Sequence, residues 1–97
     1  MPKETYARRF LISGRVQGVG FRYFAERVAL RLGIAGYTKN LADGRVEVYA
    51  IGREAPLEEL RSELARGPVW SRVDRVEQSE ADLLEEYAGN FIIEREN

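Results

Sequence analysis

What narrows the fold of this chain most is the succession of hydrophobic periods along it, two residues in some segments and 3.6 in others. Tyr6 to Ser13 reads as a strand, with Tyr6, Arg8, Phe10 and Ile12 on one face and Ala7, Arg9 and Leu11 on the other. From Phe21 to Leu32 the apolar residues Phe21, Phe24, Ala25, Val28, Ala29 and Leu32 recur at helical spacing, and Gly33 supplies a stop. Ile34 to Leu41 and Arg45 to Ile51 are extended again, and Asp43-Gly44 between them signals a hairpin. In the later of these two segments Val46, Val48 and Ala50 alternate with Glu47, Tyr49 and Ile51. A second amphipathic helix carries Leu57, Leu60 and Leu64 and ends at Gly67-Pro68. Pro56 and the acidic Glu58 and Glu59 suit its first turn.

Val73 to Asp82 follows as a strand crowded with charge, which marks an edge, and Phe91 to Arg95 reads as a short last strand. Five acids lie between Glu77 and Glu86 with no base among them, a run that fits a solvated edge far better than a metal site. Trp70, beside the end of the second helix, is expected to be a partly buried aromatic rather than an anchor for a ligand. The resulting order is β-α-β-β-α-β. Two right-handed crossovers of that kind give an antiparallel sheet with both helices on one face, the ferredoxin-like arrangement of the α+β class, here with a short extra C-terminal strand. Residues 1–97 are enough for one such domain and too few for two.

Residue usage removes several kinds of chemistry. Basic and acidic side chains number 15 and 16, a net charge of −1, which lacks the general basic footprint of a nucleic-acid binder. Any anion site must therefore be local. Cysteine is absent, which excludes disulfides, thiolate metal sites and cysteine nucleophiles. Histidine is absent too, and with it go the commonest general base and the commonest metal ligand. No metal and no cofactor is implied. The start, Met1-Pro2-Lys3-Glu4, carries no apolar signal region, and no segment approaches the ~20 apolar residues of a membrane span. A cytoplasmic protein without a membrane partner is expected.

The stretch that looks chemical is Gly14-Arg15-Val16-Gln17-Gly18-Val19-Gly20-Phe21-Arg22, at the junction of the first strand and first helix. Glycines there let consecutive backbone N–H groups turn inward to form an anion-binding concavity, to which the positive end of the helix dipole adds. Arg22 falls in the first turn, a poor place for a cation on dipole grounds but a good one for a rigid fork of donors facing phosphate or carboxylate oxygens. Two familiar phosphate motifs are excluded. No G-x-x-x-x-G-K-[ST] occurs, and Gly18-x-Gly20 runs on to Tyr23 where the dinucleotide fingerprint needs Gly or Ala. A glycine-rich turn beside a solvated arginine is the plain alternative.

Ile12 to Arg22 resembles the first signature of the acylphosphatase family. Gly36-Tyr37-Thr38-Lys39-Asn40, with Gly44, Val46 and Gly52 at the family spacings, resembles the second. The likeness runs from about Tyr6 to the last strand, and Gly67-Pro68 shares it. Thr38 departs from the small apolar residue usual at its position and adds a hydroxyl that needs a partner if buried. The resemblance implies metal-independent hydrolysis of the carboxyl-phosphate bond of acyl phosphates, to a carboxylate and inorganic phosphate, with no covalent enzyme intermediate. It implies that Arg22 and the backbone amides of Arg15, Val16, Gln17, Gly18, Val19 and Gly20 hold the phosphoryl oxygens, and that Asn40 orients the attacking water. Arg15 is expected to offer its backbone N–H only, with its side chain solvated; Tyr37 is expected to pack and Lys39 to lie at the surface. The family motif also heads a larger hydrogenase-maturation carbamoyltransferase with cysteine-rich zinc motifs, so a chain without cysteine is expected to be the stand-alone form.

The partners implied are a small acyl phosphate, with inorganic phosphate as product and competitive inhibitor, and no nucleic acid. Two rivals use the same features differently. An RNA-binding module on this fold would stack bases on its central strands, where Arg45 to Tyr49 offers one tyrosine beside a glutamate. A regulatory module would bind an anionic metabolite at the loop without turning it over.

Overall fold

The computed structural model describes residues 4–95. Its elements are β1 (Tyr6–Arg15), α1 (Phe21–Leu32), β2 (Ala35–Asn40), β3 (Val46–Gly52), α2 (Glu54–Arg66), β4 (Arg72–Ala81), a 3-10 turn (Glu85–Tyr87) and β5 (Phe91–Ile93). The strands form one sheet in the order β4-β1-β3-β2-β5. The first four pair antiparallel, as expected, and the short β5 adds in parallel beside β2. Because β1 and β2 both run antiparallel to β3, their C-terminal ends come out at the same end of the sheet.

The alternation in the strands decides which side each residue serves. Phe10, Ile12, Val46, Val48 and Ala50 face both helices and meet Phe21, Ala25, Val28, Ala29, Leu57, Leu60 and Leu64 in the main core. Burying a Leu or Phe side chain there contributes about 1.5–3 kcal/mol each before the entropy of ordering is subtracted. Gly33 closes α1 in the left-handed conformation, its N–H returning to the last turn. Helix α2 starts at Glu54, so Pro56 stands in its first turn as expected, whereas Glu58 and Glu59 fall a turn later. There the helix end no longer favours them, and they meet cations instead: Glu58 lies 2.8 Å from Arg8 and Glu59 3.6 Å from Arg31.

The opposite face of the sheet is partly covered by the segment after β4. Ala7, Tyr37, Tyr49 and Ile51 form a second cluster with Leu84, Tyr87 and Ile92 against it. Rings of Tyr37 and Tyr49 stack at 5.3 Å, and Tyr49 accepts the Leu84 N–H at 2.8 Å while donating to the Asp82 carbonyl. Glu47 is buried here with its charge answered: Arg9 donates to it at 2.7 Å and the Tyr37 hydroxyl at 3.0 Å. Burial, and then the bond to Glu47, push the Tyr37 hydroxyl up to about 12.

Trp70 corrects the expectation made for it. It is 78% exposed, beside Val69 at 88%, because the turn after α2 carries both outward before β4 begins. Strand β4 lies at a sheet edge, and its Glu77 is paired with Arg75 and Arg45.

Thr38 faces the main core opposite Val48, fully buried, and its Oγ1 is a buried oxygen without a hydrogen-bond partner among the described residues. An unmet buried hydroxyl costs about 1–3 kcal/mol. Thr38→Val, which keeps the shape and removes the hydroxyl, is therefore expected to stabilise the protein by about 1 kcal/mol, raising Tm by ~4–8 °C for a chain of this size. Thermal unfolding of the two proteins side by side checks this; a lower Tm for the valine variant refutes it.

Candidate active site

Strand β1 continues past Ser13 to Arg15 because β4 follows it through a register shift at Ser13/Gly14, pairing Gly14 with Val73 and Arg15 with Arg72. The chain then turns through Val16 to Gly20. Val16 is buried in the main core and Val19 packs against it, so two apolar side chains fasten the loop from below. Gly18 and Gly20 have φ of 76° and 78°, the left-handed region that a side chain disfavours, although a Cβ at either would meet nothing. What these positions need is the backbone conformation, and left-handed residues alternating with ordinary ones turn successive N–H groups to one side.

Gly20 is the N-cap of α1 and accepts the Phe24 N–H at 3.0 Å. The amides of Phe21, Arg22 and Tyr23 thus stand ahead of the first intrahelical bond, with no side-chain cap and no acid in the first turn. An uncapped helix start without an acid is open to an external anion.

Asn40 reaches the same place from another element. It is the last residue of β2, buried, opposite Val46 in the ladder. A cavity of about 210 Å³ is lined by Val16, Gly18, Gly20, Phe21, Arg22, Tyr23 and Asn40. At ~30 Å³ for each water's share of the liquid, that is room for a tetrahedral oxyanion with water beside it. A larger cavity of about 410 Å³ between Thr5, Leu32, Ile51, Arg53 and Pro56 offers one cation and no loop of amides.

Of the residues singled out from sequence, Arg22, Asn40, Val16, Gly18 and Gly20 are brought together around this cavity. Arg15, Gln17 and Val19 are not in its lining, and Arg15 is exposed. Two features went unforeseen. Phe21 and Tyr23 join the lining, a consequence of their place in the first helical turn beside Arg22. The side-chain amide of Gln17 donates to the Leu41 carbonyl at 2.8 Å and to the Arg45 carbonyl at 2.9 Å, across to the β2–β3 hairpin. Nothing in local sequence signals a contact between segments so far apart.

Among the described residues, no group of three or more Asp and Glu is placed to hold a metal ion, and no helix is long and apolar enough to cross a membrane. On β3, the tyrosine that a base-stacking surface would present, Tyr49, is wholly buried under Tyr37 and Tyr87.

A ferredoxin-like sheet with a glycine-rich loop, an uncapped helix start, an arginine and an asparagine around one small cavity defines a class of compact α+β proteins whose cavity is chemically suited to an anion. Comparison with known proteins sharpens the class. The acylphosphatase family profile matches residues 8–93. An acylphosphatase of Solibacter usitatus is 57% identical over 77 residues, 79% of this chain and 80% of that one. An acylphosphatase of Vibrio cholerae is 44% identical over 90 residues, 93% of this chain and 99% of its own. The crystal structure of acylphosphatase from Bacillus subtilis superposes with a TM-score of 0.85 at 38% identity, over 93% of this chain and 98% of that one. The chain belongs to the acylphosphatase family of enzymes.

Proposed function

We propose that this protein hydrolyses the carboxyl-phosphate bond of acyl phosphates without a metal, Arg22 and the loop amides holding the phosphoryl group and Asn40 directing the water. The observation that carries this is the single cavity in which the loop, the start of α1, Arg22 and Asn40 meet. Phosphoryl oxygens accept hydrogen bonds from the amides between Arg15 and Gly20 and from the guanidinium fork. Water oxygen bonds to phosphorus as the bond from phosphorus to the acyl oxygen breaks, and the electron pair leaves with the carboxylate. A carboxylate is a weak base and leaves as the anion, so no general acid is needed. The protons of the attacking water pass to phosphate and solvent.

Asn40 is no base at neutral pH. Its side-chain carbonyl accepts a hydrogen bond from water and so sets the line of attack. Catalysis then consists of positioning and of fixed positive charge where negative charge gathers, the main contributions to phosphoryl transfer in general. A cytoplasmic setting belongs to the same reading.

Hydrolysis of acetyl phosphate in the presence of a strong chelator is the test. Turnover is expected to be unchanged by chelator, and inorganic phosphate is expected to compete with substrate because it presents the same oxygens to the same cradle. Activity lost in chelator and restored by a divalent ion would overturn the mechanism. Phosphate binding with no hydrolysis would make the loop a regulatory anion site instead.

A further inference from the structure

We infer that Gln17 is a positioning residue, whose side-chain amide ties the phosphate loop to the end of β2 and so sets where Asn40 stands relative to the bound phosphoryl group. The inference rests on the proposed roles of the loop and Asn40. Those two parts of the site belong to strands that do not touch. Strand β3 lies between β1 and β2, and Ile12 and Asn40 pair with Val46 from opposite sides. At ~4.8 Å between neighbouring strands, the loop has about 10 Å to cross before it faces Asn40. The backbone pairing of β1 ends at Arg15, so the ladder does not carry the loop over that gap.

Gln17 does reach across. Its Nε2 donates to Leu41 O at 2.8 Å and to Arg45 O at 2.9 Å. Both partners are acceptors, so the end of the amide that meets them is the NH2 group. The same two carbonyls close the hairpin, Leu41 O accepting the Gly44 N–H at 3.1 Å and Arg45 O the Leu41 N–H at 2.8 Å. Leu41 is joined to Asn40 by one peptide bond. Two bonds from one rigid amide therefore fix the loop to the residue beside the water-directing side chain.

The chemistry of the tie needs glutamine. Asparagine is a methylene shorter, glutamate has no donor when ionised, and lysine or arginine would bring a charge next to the phosphoryl site. A misplacement of about 1 Å in attack geometry costs on the order of 10²-fold in rate.

Gln17→Met keeps the length of the side chain and removes the donors. Its kcat is expected to fall by ~10- to 10²-fold while inorganic phosphate binds within about 3-fold of the parent, since the loop amides and Arg22 remain. Combined with Asn40→Ala, it is expected to slow the enzyme by less than about 3-fold further, because its effect travels through Asn40. Three results would overturn the proposal: parent-like kcat in Gln17→Met, phosphate affinity falling in proportion to rate, or the full single-variant loss repeated in the double variant. If Asn40→Ala alone turns over at the parent rate, the role of Asn40 is wrong and this inference falls with it. Circular dichroism accompanies each measurement. Should Gln17→Met fail to fold, Gln17→Asn, which keeps an amide too short to reach both carbonyls, is subject to the same criteria.

Discussion

Arg22→Ala is expected to remove both phosphate binding and turnover, lowering kcat/KM by at least ~10³-fold, in the range of removing a charged transition-state clamp from a phosphoryl-transfer site. Arg22 lines the cavity from the first turn of α1, where the helix start repels a cation and no acid stands in the turn to offset it. An anion arriving from outside would stabilise a cation at such a point, which is the role proposed for Arg22. Arg22→Lys is expected to restore little. It returns the charge but replaces a planar fork with a point donor on a flexible stem, so paired contacts to two oxygens are lost. Steady-state kinetics on acetyl phosphate, with phosphate affinity measured separately, decide the matter; near-normal activity in the lysine variant would show that bidentate holding by Arg22 is the wrong account. The alanine variant is expected to fold, since Arg22 is outside the hydrophobic core.

Asn40→Ala should split binding from chemistry. In the proposed mechanism the loop amides and Arg22 hold the phosphoryl oxygens, so phosphate affinity is expected to stay nearly intact. The water is the reactant left without a guide, and kcat is expected to fall by at least ~10²-fold, about the cost of one positioned polar group in an active site. A fall in kcat at constant phosphate affinity identifies a contact made mainly in the transition state. Asn40 is also a buried strand end next to the hairpin, so replacing it can cost stability. Circular dichroism and phosphate binding on the same sample separate the two effects. A folded variant at the parent rate would remove Asn40 from the mechanism, and affinity lost in step with rate would recast it as a binding residue.

Several parts of this arrangement are legible in the residues alone. Helix α1 spans Phe21–Leu32, as its apolar spacing predicts, and the alternation in β3 sorts Val46, Val48 and Ala50 to the helices and Tyr49 and Ile51 to the other face. The glycines at 18 and 20 marked the left-handed turns of the loop, since few other residues take that conformation cheaply. Other features were hidden. Nothing in the local sequence marks Glu47 as a buried charge; it is buried because Arg9 from β1 and Tyr37 from β2 converge on it. Trp70 reads as a residue that the helix end should shelter, yet the turn carries it outward.

By itself the sequence determined the order of the helices and strands, the alternation of faces along the strands, and the residue types available for chemistry. Those follow from local period, from glycine's conformational freedom and from the absence of histidine and cysteine, none of which depends on distant segments. Only the tertiary structure decided that the ends of β1 and β2 emerge together on either side of β3, that Arg22 and Asn40 share one cavity, and that Gln17 spans the gap between the loop after β1 and the β2–β3 hairpin. Strand order is settled by which arrangement buries both helices on one face of the sheet, a property of the whole core that no short window of residues contains.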